Sequence, residues 1–210
     1  MILSSFQQGS PEWHAARCGV VTASNFKAVL TKGSGKTRAN YMRKLAEEII
    51  TGRVAPPAFE SEAMQRGVEL EPDARLAYET QTGRSVREVG IAYLNEDKRV
   101  AASPDGLIQE DGGLEIKCPL PRTHEKYWHE GRVPQIYMPQ IQGNLWVTGR
   151  KWWDFVSYAP EFGPARRILL HRVERDDSYI ERLSLEIHRF INDLDRLVER
   201  MGEYADRIRA

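Results

Sequence analysis

Two short runs decide how this chain reads: Ser103-Pro104-Asp105-Gly106-Leu107, and Leu114-Glu115-Ile116-Lys117-Cys118-Pro119, with Glu115 ten residues after Asp105. In a β-strand alternate side chains share a face, so Glu115 and Lys117 point one way while Leu114, Ile116 and Cys118 point into packing. A turn after Asp105 brings it back beside Glu115. Two converging carboxylates form a hard oxygen site, suited to Mg²⁺ rather than zinc. A lysine beside that site can hold or deprotonate an attacking water. Taken alone, the spacing also fits an exposed hairpin with solvated charges. The apolar alternation around Glu115, the Pro-Asp-Gly turn and the strand-stopping Pro119 argue for the site.

Outward from this centre, Ser85–Asn95, Arg99–Ser103 and Gly113–Cys118 read as strands, as do Trp152–Ala159 and Arg166–Glu174, which are rich in aromatic and β-branched residues. Met42, Leu45, Ala46, Ile49 and Ile50 follow helical spacing over Ala39–Thr51, with Gly52 to end the helix. A turn at Pro56-Pro57 leads to a second helix, Ser61–Gln81. Two more are predicted at Pro121–His129 and Pro134–Val147, the latter closed by Gly149 and carrying Pro139, which threatens to kink it. Ile180, Leu183, Ile187, Ile191, Leu194 and Val198 mark a long amphipathic helix over Asp177–Arg209, whose stripe fits core or a subunit contact equally. The expected fold class is α/β (α+β): a mixed central β-sheet flanked by helices, in one domain over residues 1–210.

Hydrophobic residues at 41% and charged residues at 29% match a soluble globular chain. No apolar run nears the roughly 20 residues of a membrane span, and the N-terminus does not read as a signal peptide. The two cysteines, Cys18 and Cys118, exclude a cysteine-framed zinc or iron–sulfur site and fit a reducing cytoplasm, bacterial or phage-encoded. Net charge is zero, yet residues 1–57 hold eight Lys/Arg against three Asp/Glu, while the rest hold 22 against 27. That asymmetry suits one face touching a phosphate backbone, and equally suits scattered solvated charge. Gly33-Ser34-Gly35-Lys36-Thr37 is not a P-loop, since Leu30 stands where its first glycine belongs. It reads as a basic loop that meets DNA, or as a solvated connector. His124 and His129 are too far apart for one helical metal face. Trp146, Trp152, Trp153 and Phe155 read as core rather than a base-stacking platform.

The two central runs also resemble the phage lambda exonuclease and YqaJ-type viral recombinase nuclease family, within the PD-(D/E)xK restriction-endonuclease-like superfamily. Three further stretches match in the same order. They are Gln8–Arg17 followed by Thr22-Ala23-Ser24, then Gly67–Ala74, then Tyr137–Gln142 leading to Leu145–Gly149. The resemblance implies that Glu71 joins Asp105, Glu115 and the Ile116 carbonyl in holding two Mg²⁺ ions, with Mn²⁺ as a substitute, and that Lys117 activates the water. Without it, Glu71 would read as a surface glutamate. Arg17, Ser24, Ser103 and Gln140 match a pocket for the 5′-phosphate, a donor set whose chemistry suits phosphate. Otherwise Arg17 reads as a surface salt bridge and Gln140 as a helix-face amide.

The implied activity is processive 5′→3′ digestion of one strand of double-stranded DNA, from phosphorylated ends, leaving 3′ tails for recombination. The implied partners are duplex ends, two further copies in a homotrimeric ring, and a phage single-strand annealing protein; no membrane is involved. A restriction- or repair-type endonuclease and a catalytically silent DNA-binding homologue are the competing readings.

Overall fold

The computed structural model describes residues 1–31, 36–55 and 62–209, with side chains through residue 202. The glycine-rich part of the 31–38 loop, the Pro56-Pro57 turn and Ser61 lie outside the described residues. The chain opens with strand β1 (Ile2–Ser4), helix α1 (Pro11–Ala16), strand β2 (Val21–Thr22) and helix α2 (Phe26–Val29). Helices α3 (Lys36–Thr51) and α4 (Glu62–Thr82) follow. Next come strands β3 (Val86–Arg87), β4 (Ile91–Tyr93), β5 (Val100–Ala102), β6 (Gly106–Ile108) and β7 (Gly112–Lys117). Helices α5 (Pro121–Glu130) and α6 (Met138–Thr148), strand β8 (Trp152–Tyr158), helix α7 (Gly163–Arg166), strand β9 (Ile168–Glu174) and helix α8 (Asp177–Arg209) complete it.

The strands form two mixed sheets, a five-stranded one in the order β3-β6-β7-β8-β9 and a four-stranded one in the order β1-β4-β5-β2. β7 and β8 run parallel, Glu115 opposite Phe155 and Lys117 opposite Ser157. Parallel neighbours need a crossover, and α5 and α6 supply it. Ala74 and Tyr78 of α4 pack with Leu114, Ile116 and Val156 on one face of the larger sheet. On the other face Tyr127 of α5 and Ile141 and Leu145 of α6 pack with Trp153, Phe155 and Leu169. Side chains on β7 therefore alternate between two buried layers, and Glu115 and Lys117 face the α6 side with Asn144 and Gln140.

α6 packs against both sheets. A third cluster joins Phe26, Leu45 and Val147 to Leu183, Ile187, Phe190 and Leu194. The stripe on α8 is thus core along this stretch, as are Trp152, Trp153 and Phe155. Burying each large apolar side chain contributes about 1.5–3 kcal/mol.

The mixed sheet flanked by helices is present as the sequence predicts, but several elements differ from the expected pattern. Ser85–Asn95 is not one strand: β3 joins the larger sheet and β4 the smaller. The break falls at Gly90, where a Cβ would lie 2.0 Å from the Phe6 carbonyl oxygen, so only glycine lets the two backbones cross. The turn after Asp105 becomes a strand of its own, β6, and the short elements before residue 30 were not predicted. Pro139 kinks nothing, because α6 begins at Met138 after a 3₁₀ turn over Gln135–Tyr137 and the proline sits in the first helical turn. Pro72, by contrast, lies inside α4 directly after Glu71, removing one helical hydrogen bond there. Arg166 belongs to α7, and β9 starts at Ile168. His124 is buried, bonded to Ser157 Oγ and the Arg166 carbonyl, both at 2.8 Å, while His129 is exposed.

Candidate active site

Asp105 stands where the chain enters β6. Gly106 pairs with Leu114, and a Cβ on Gly106 would lie 2.0 Å from Val86 Cγ1, so the backbone runs tight against β3. The pairing with Leu114 sets Asp105 beside β7, where its Oδ2 accepts the Ile116 N–H at 2.6 Å. The carboxylate is thereby anchored between Glu115 and Lys117. Glu115 is 0% exposed; Lys117 Nζ meets its Oε1 at 2.5 Å, and Asn144 Nδ2 donates to its Oε2 at 3.1 Å. Lys117 also reaches Gln140 Oε1 at 3.5 Å and lies over the Tyr137 ring at 5.3 Å.

Glu71, on α4, closes the acidic group. Arg75, one turn on, donates to Glu71 Oε1 at 2.7 Å, pairs with Glu88 at 2.9 Å and reaches the Asp105 carbonyl at 3.4 Å. Burial and the neighbouring Glu115 hold the Asp105 carboxyl well above its ordinary range. Burial likewise raises Glu71, which Arg75 opposes and Glu115 and Glu88 reinforce. Burial disfavours charge on Lys117, but Glu115 and Asp105 outweigh it and hold the ammonium more firmly protonated than usual. The cluster is short of positive charge: Glu71, Asp105, Glu115 and Glu88 share one lysine and one arginine.

The second group is built on α1. Ser10 caps that helix by accepting the Trp13 N–H, and Arg17 ends it. Arg17 Nη1 donates to Ser103 Oγ at 2.9 Å and Nη2 to Ser24 Oγ at 3.5 Å. Its guanidinium lies 4.0 Å from the centre of the Trp13 ring. Ser24 also receives the Asn25 amide at 3.4 Å. Arg17, Ser24, Ser103 and Gln140 line the same cavity as Glu71, Asp105, Glu115, Ile116 and Lys117, about 620 Å³ in volume. The structure therefore gathers every residue singled out in the sequence around one space. Trp13, Arg75 and Asn144 were not singled out. Each lies one helical turn from a residue that was (Arg17, Glu71 and Gln140), and that spacing is the signal which could have found them.

The donor set suits a hard cation. Among the described residues, Glu115 Oε1 accepts no aligned hydrogen bond and has only the ammonium contact, so a buried anionic oxygen retains open lone pairs. Among the described residues, however, no three Asp, Glu, His or Cys side chains already converge as a ligand group. Glu71 is held by Arg75, and Glu115 by Lys117. The protein's own cations occupy the carboxylates that a metal would need.

Residues 12–151 match the family model for the YqaJ-like viral recombinase domain. The chain is similar to the alkaline exonuclease LHK-Exo of Laribacter hongkongensis, with 39% identity and a TM-score of 0.87, covering 95% of this chain and all of that one. A second LHK-Exo structure, in complex with dAMP, matches at 38% identity and a TM-score of 0.88 over the same shares. A phage-related exonuclease from Haemophilus somnus shares the fold at 18% identity, with a TM-score of 0.64 over 87% of this chain and 96% of that one. The protein YqaJ of Bacillus subtilis is 26% identical over 145 residues, 68% of this chain; the chain spans only 44% of that relative's length.

Proposed function

From its membership of the YqaJ-like viral recombinase family, to which this chain belongs, we propose that the protein is a Mg²⁺-dependent deoxyribonuclease digesting one strand of duplex DNA 5′→3′ from phosphorylated ends. The observation that carries this reading is the shared cavity: an acid–lysine cluster opens into the same space as a guanidinium with hydroxyl and amide neighbours. One half suits hydrolysis of a phosphodiester and the other suits a terminal phosphate, which together describe an end-directed nuclease.

Glu71, Asp105, Glu115 and the Ile116 carbonyl would hold two Mg²⁺ ions, with Mn²⁺ as a substitute. When bound, the metal supplies Lewis-acid polarisation of the phosphate and acidifies a water. Lys117 would orient that water, and would act as its base after releasing its own proton to solvent, once the carboxylates that now hold it charged are engaged elsewhere. Arg17, Ser24, Ser103 and Gln140 hold the 5′-phosphate and so set which bond is next. Residues 1–210 act as one nuclease domain, working in a bacterial or phage-infected cytoplasm as a homotrimeric ring beside a phage single-strand annealing protein. A ring suits a chain of zero net charge, because encirclement replaces an electrostatic hold that salt would weaken. Among the described residues, no helix is long and apolar enough to cross a membrane.

The test follows linear duplexes bearing 5′-phosphate or 5′-hydroxyl ends beside an intact closed circle in Mg²⁺, with wild type and Lys117→Ala run together. Ordered release of nucleotides from phosphorylated 5′ ends, an intact circle and a dead variant are expected. A linearised circle would replace the reading with an endonuclease, and no cleavage of any substrate with a silent DNA-binding homologue.

A further inference from the structure

Trp13 is not among the groups assigned to phosphate, yet the phosphate pocket is organised around it. Its ring lies under the Arg17 guanidinium, 4.0 Å from the ring centre to the guanidinium carbon. Its indole N–H is shared between the Gly90 carbonyl at 3.0 Å and Ser103 Oγ at 3.2 Å. The indole and guanidinium nitrogens can only donate, so Ser103 Oγ accepts twice, from Trp13 and from Arg17 at 2.9 Å. A serine hydroxyl has two acceptor sites and one hydrogen. With both acceptor sites taken, only the hydrogen is left, and no bond among the described residues uses it.

We propose that Trp13 is a positioning residue that makes this pocket selective for an anion. Its ring fixes the plane of the Arg17 guanidinium, and its N–H, together with Arg17, leaves Ser103 able only to donate. Between them, Arg17 and Ser103 then offer donors alone: guanidinium N–H groups and the remaining hydroxyl hydrogen. A phosphate monoester, rich in acceptor oxygens, satisfies them. A 5′-hydroxyl end has a single oxygen there and leaves them unmet, and unmet buried donors are what make such selection steep.

The inference rests on the reading of Arg17, Ser24, Ser103 and Gln140 as a 5′-phosphate pocket, and its test separates the two. The quantity read is the ratio of kcat/KM for 5′-phosphorylated over 5′-hydroxyl duplex ends. Trp13→Phe keeps a ring under Arg17 but has no N–H, and Trp13→Leu is made beside it in case the first does not fold. In Trp13→Phe the ratio is expected to fall roughly tenfold, the scale of one hydrogen bond to a charged group. Trp13→Leu removes the ring as well and should lower it several-fold further. In a Ser103→Ala background, Trp13→Phe should cause almost no additional loss, because its effect runs through that hydroxyl. A wild-type ratio of one would overturn the pocket itself. A wild type that selects phosphate, with Trp13→Phe or Trp13→Leu selecting it equally well, would overturn only the role of Trp13. A full independent loss in the Ser103→Ala background would do the same.

Discussion

Replacing Lys117 with methionine tests the electrostatics of the cluster apart from catalysis. Glu115 is 0% exposed and among the described residues has two partners, the ammonium at 2.5 Å and the Asn144 amide at 3.1 Å. Removing one member of a buried ion pair typically costs about 3–5 kcal/mol. Lys117 keeps 27% of its side chain exposed and Asn144 survives the change, so the lower end, about 3 kcal/mol, is expected here. For a chain of this size each kcal/mol moves Tm by about 2–4 °C, giving a fall of roughly 6–12 °C. Thermal melts followed by circular dichroism in EDTA would read it. Glu115→Gln in the Lys117→Met background should recover most of the loss, since the neutral amide no longer needs a cation. Glu115→Gln alone should cost only about 1 kcal/mol, because the freed ammonium can turn to solvent. Excess Mg²⁺ should raise the melt of Lys117→Met more than that of wild type, as it offers the same carboxylate a replacement charge. A Lys117→Met melt within 2 °C of wild type in EDTA would refute the picture of a buried Glu115 charge held by Lys117.

Three further outcomes follow from neighbouring groups. Burial and Glu115 hold the Asp105 proton more tightly in the folded chain than in the unfolded one, so its contribution to stability is present at low pH and lost as pH rises through the folded value. In EDTA, Asp105→Asn should therefore melt higher than wild type at alkaline pH, the gap shrinking as pH falls, while cleavage is abolished; an equal gap at every pH would contradict the assignment. Arg75→Met removes the cation that occupies Glu71 and frees the Asp105 carbonyl, and should lower the Mg²⁺ concentration for half-maximal cleavage several-fold with little change at saturation; an unchanged Mg²⁺ curve would count against it. Asp154 is buried beneath Tyr78, Arg172 and Arg84, so Asp154→Ala should cost about 3–5 kcal/mol in chemical denaturation, and a loss under 1 kcal/mol would show the network to be dispensable.

Local periodicity was enough to recognise much of this molecule. The alternation across Leu114, Glu115, Ile116 and Lys117 and the three-to-four spacing along α8 both repeat within a few residues, so the strand, the helix and their buried sides could be read directly. That period also put Glu115 and Lys117 on one face before any contact was known. What a linear pattern does not carry is the meeting of distant segments. The division of Ser85–Asn95 between two sheets depends on Phe6, whose backbone passes Gly90. β6 is too short to show a period and exists because β3 and β7 lie on either side of it.

The cavity shows the same division. Arg17 and Ser103 are 86 residues apart, and only folding lets one serine accept from both Arg17 and Trp13. Glu71 looks like a surface helix glutamate until α4 packs across β7, and Gln140 reaches Lys117 because Pro139 starts a helix rather than bending one. Sequence determined which side chains could carry charge and on which face of their own element they stand, because backbone geometry repeats locally. Tertiary structure alone decided which charges were desolvated together, and with that their protonation and partners, because those depend on distances between segments that no local period encodes.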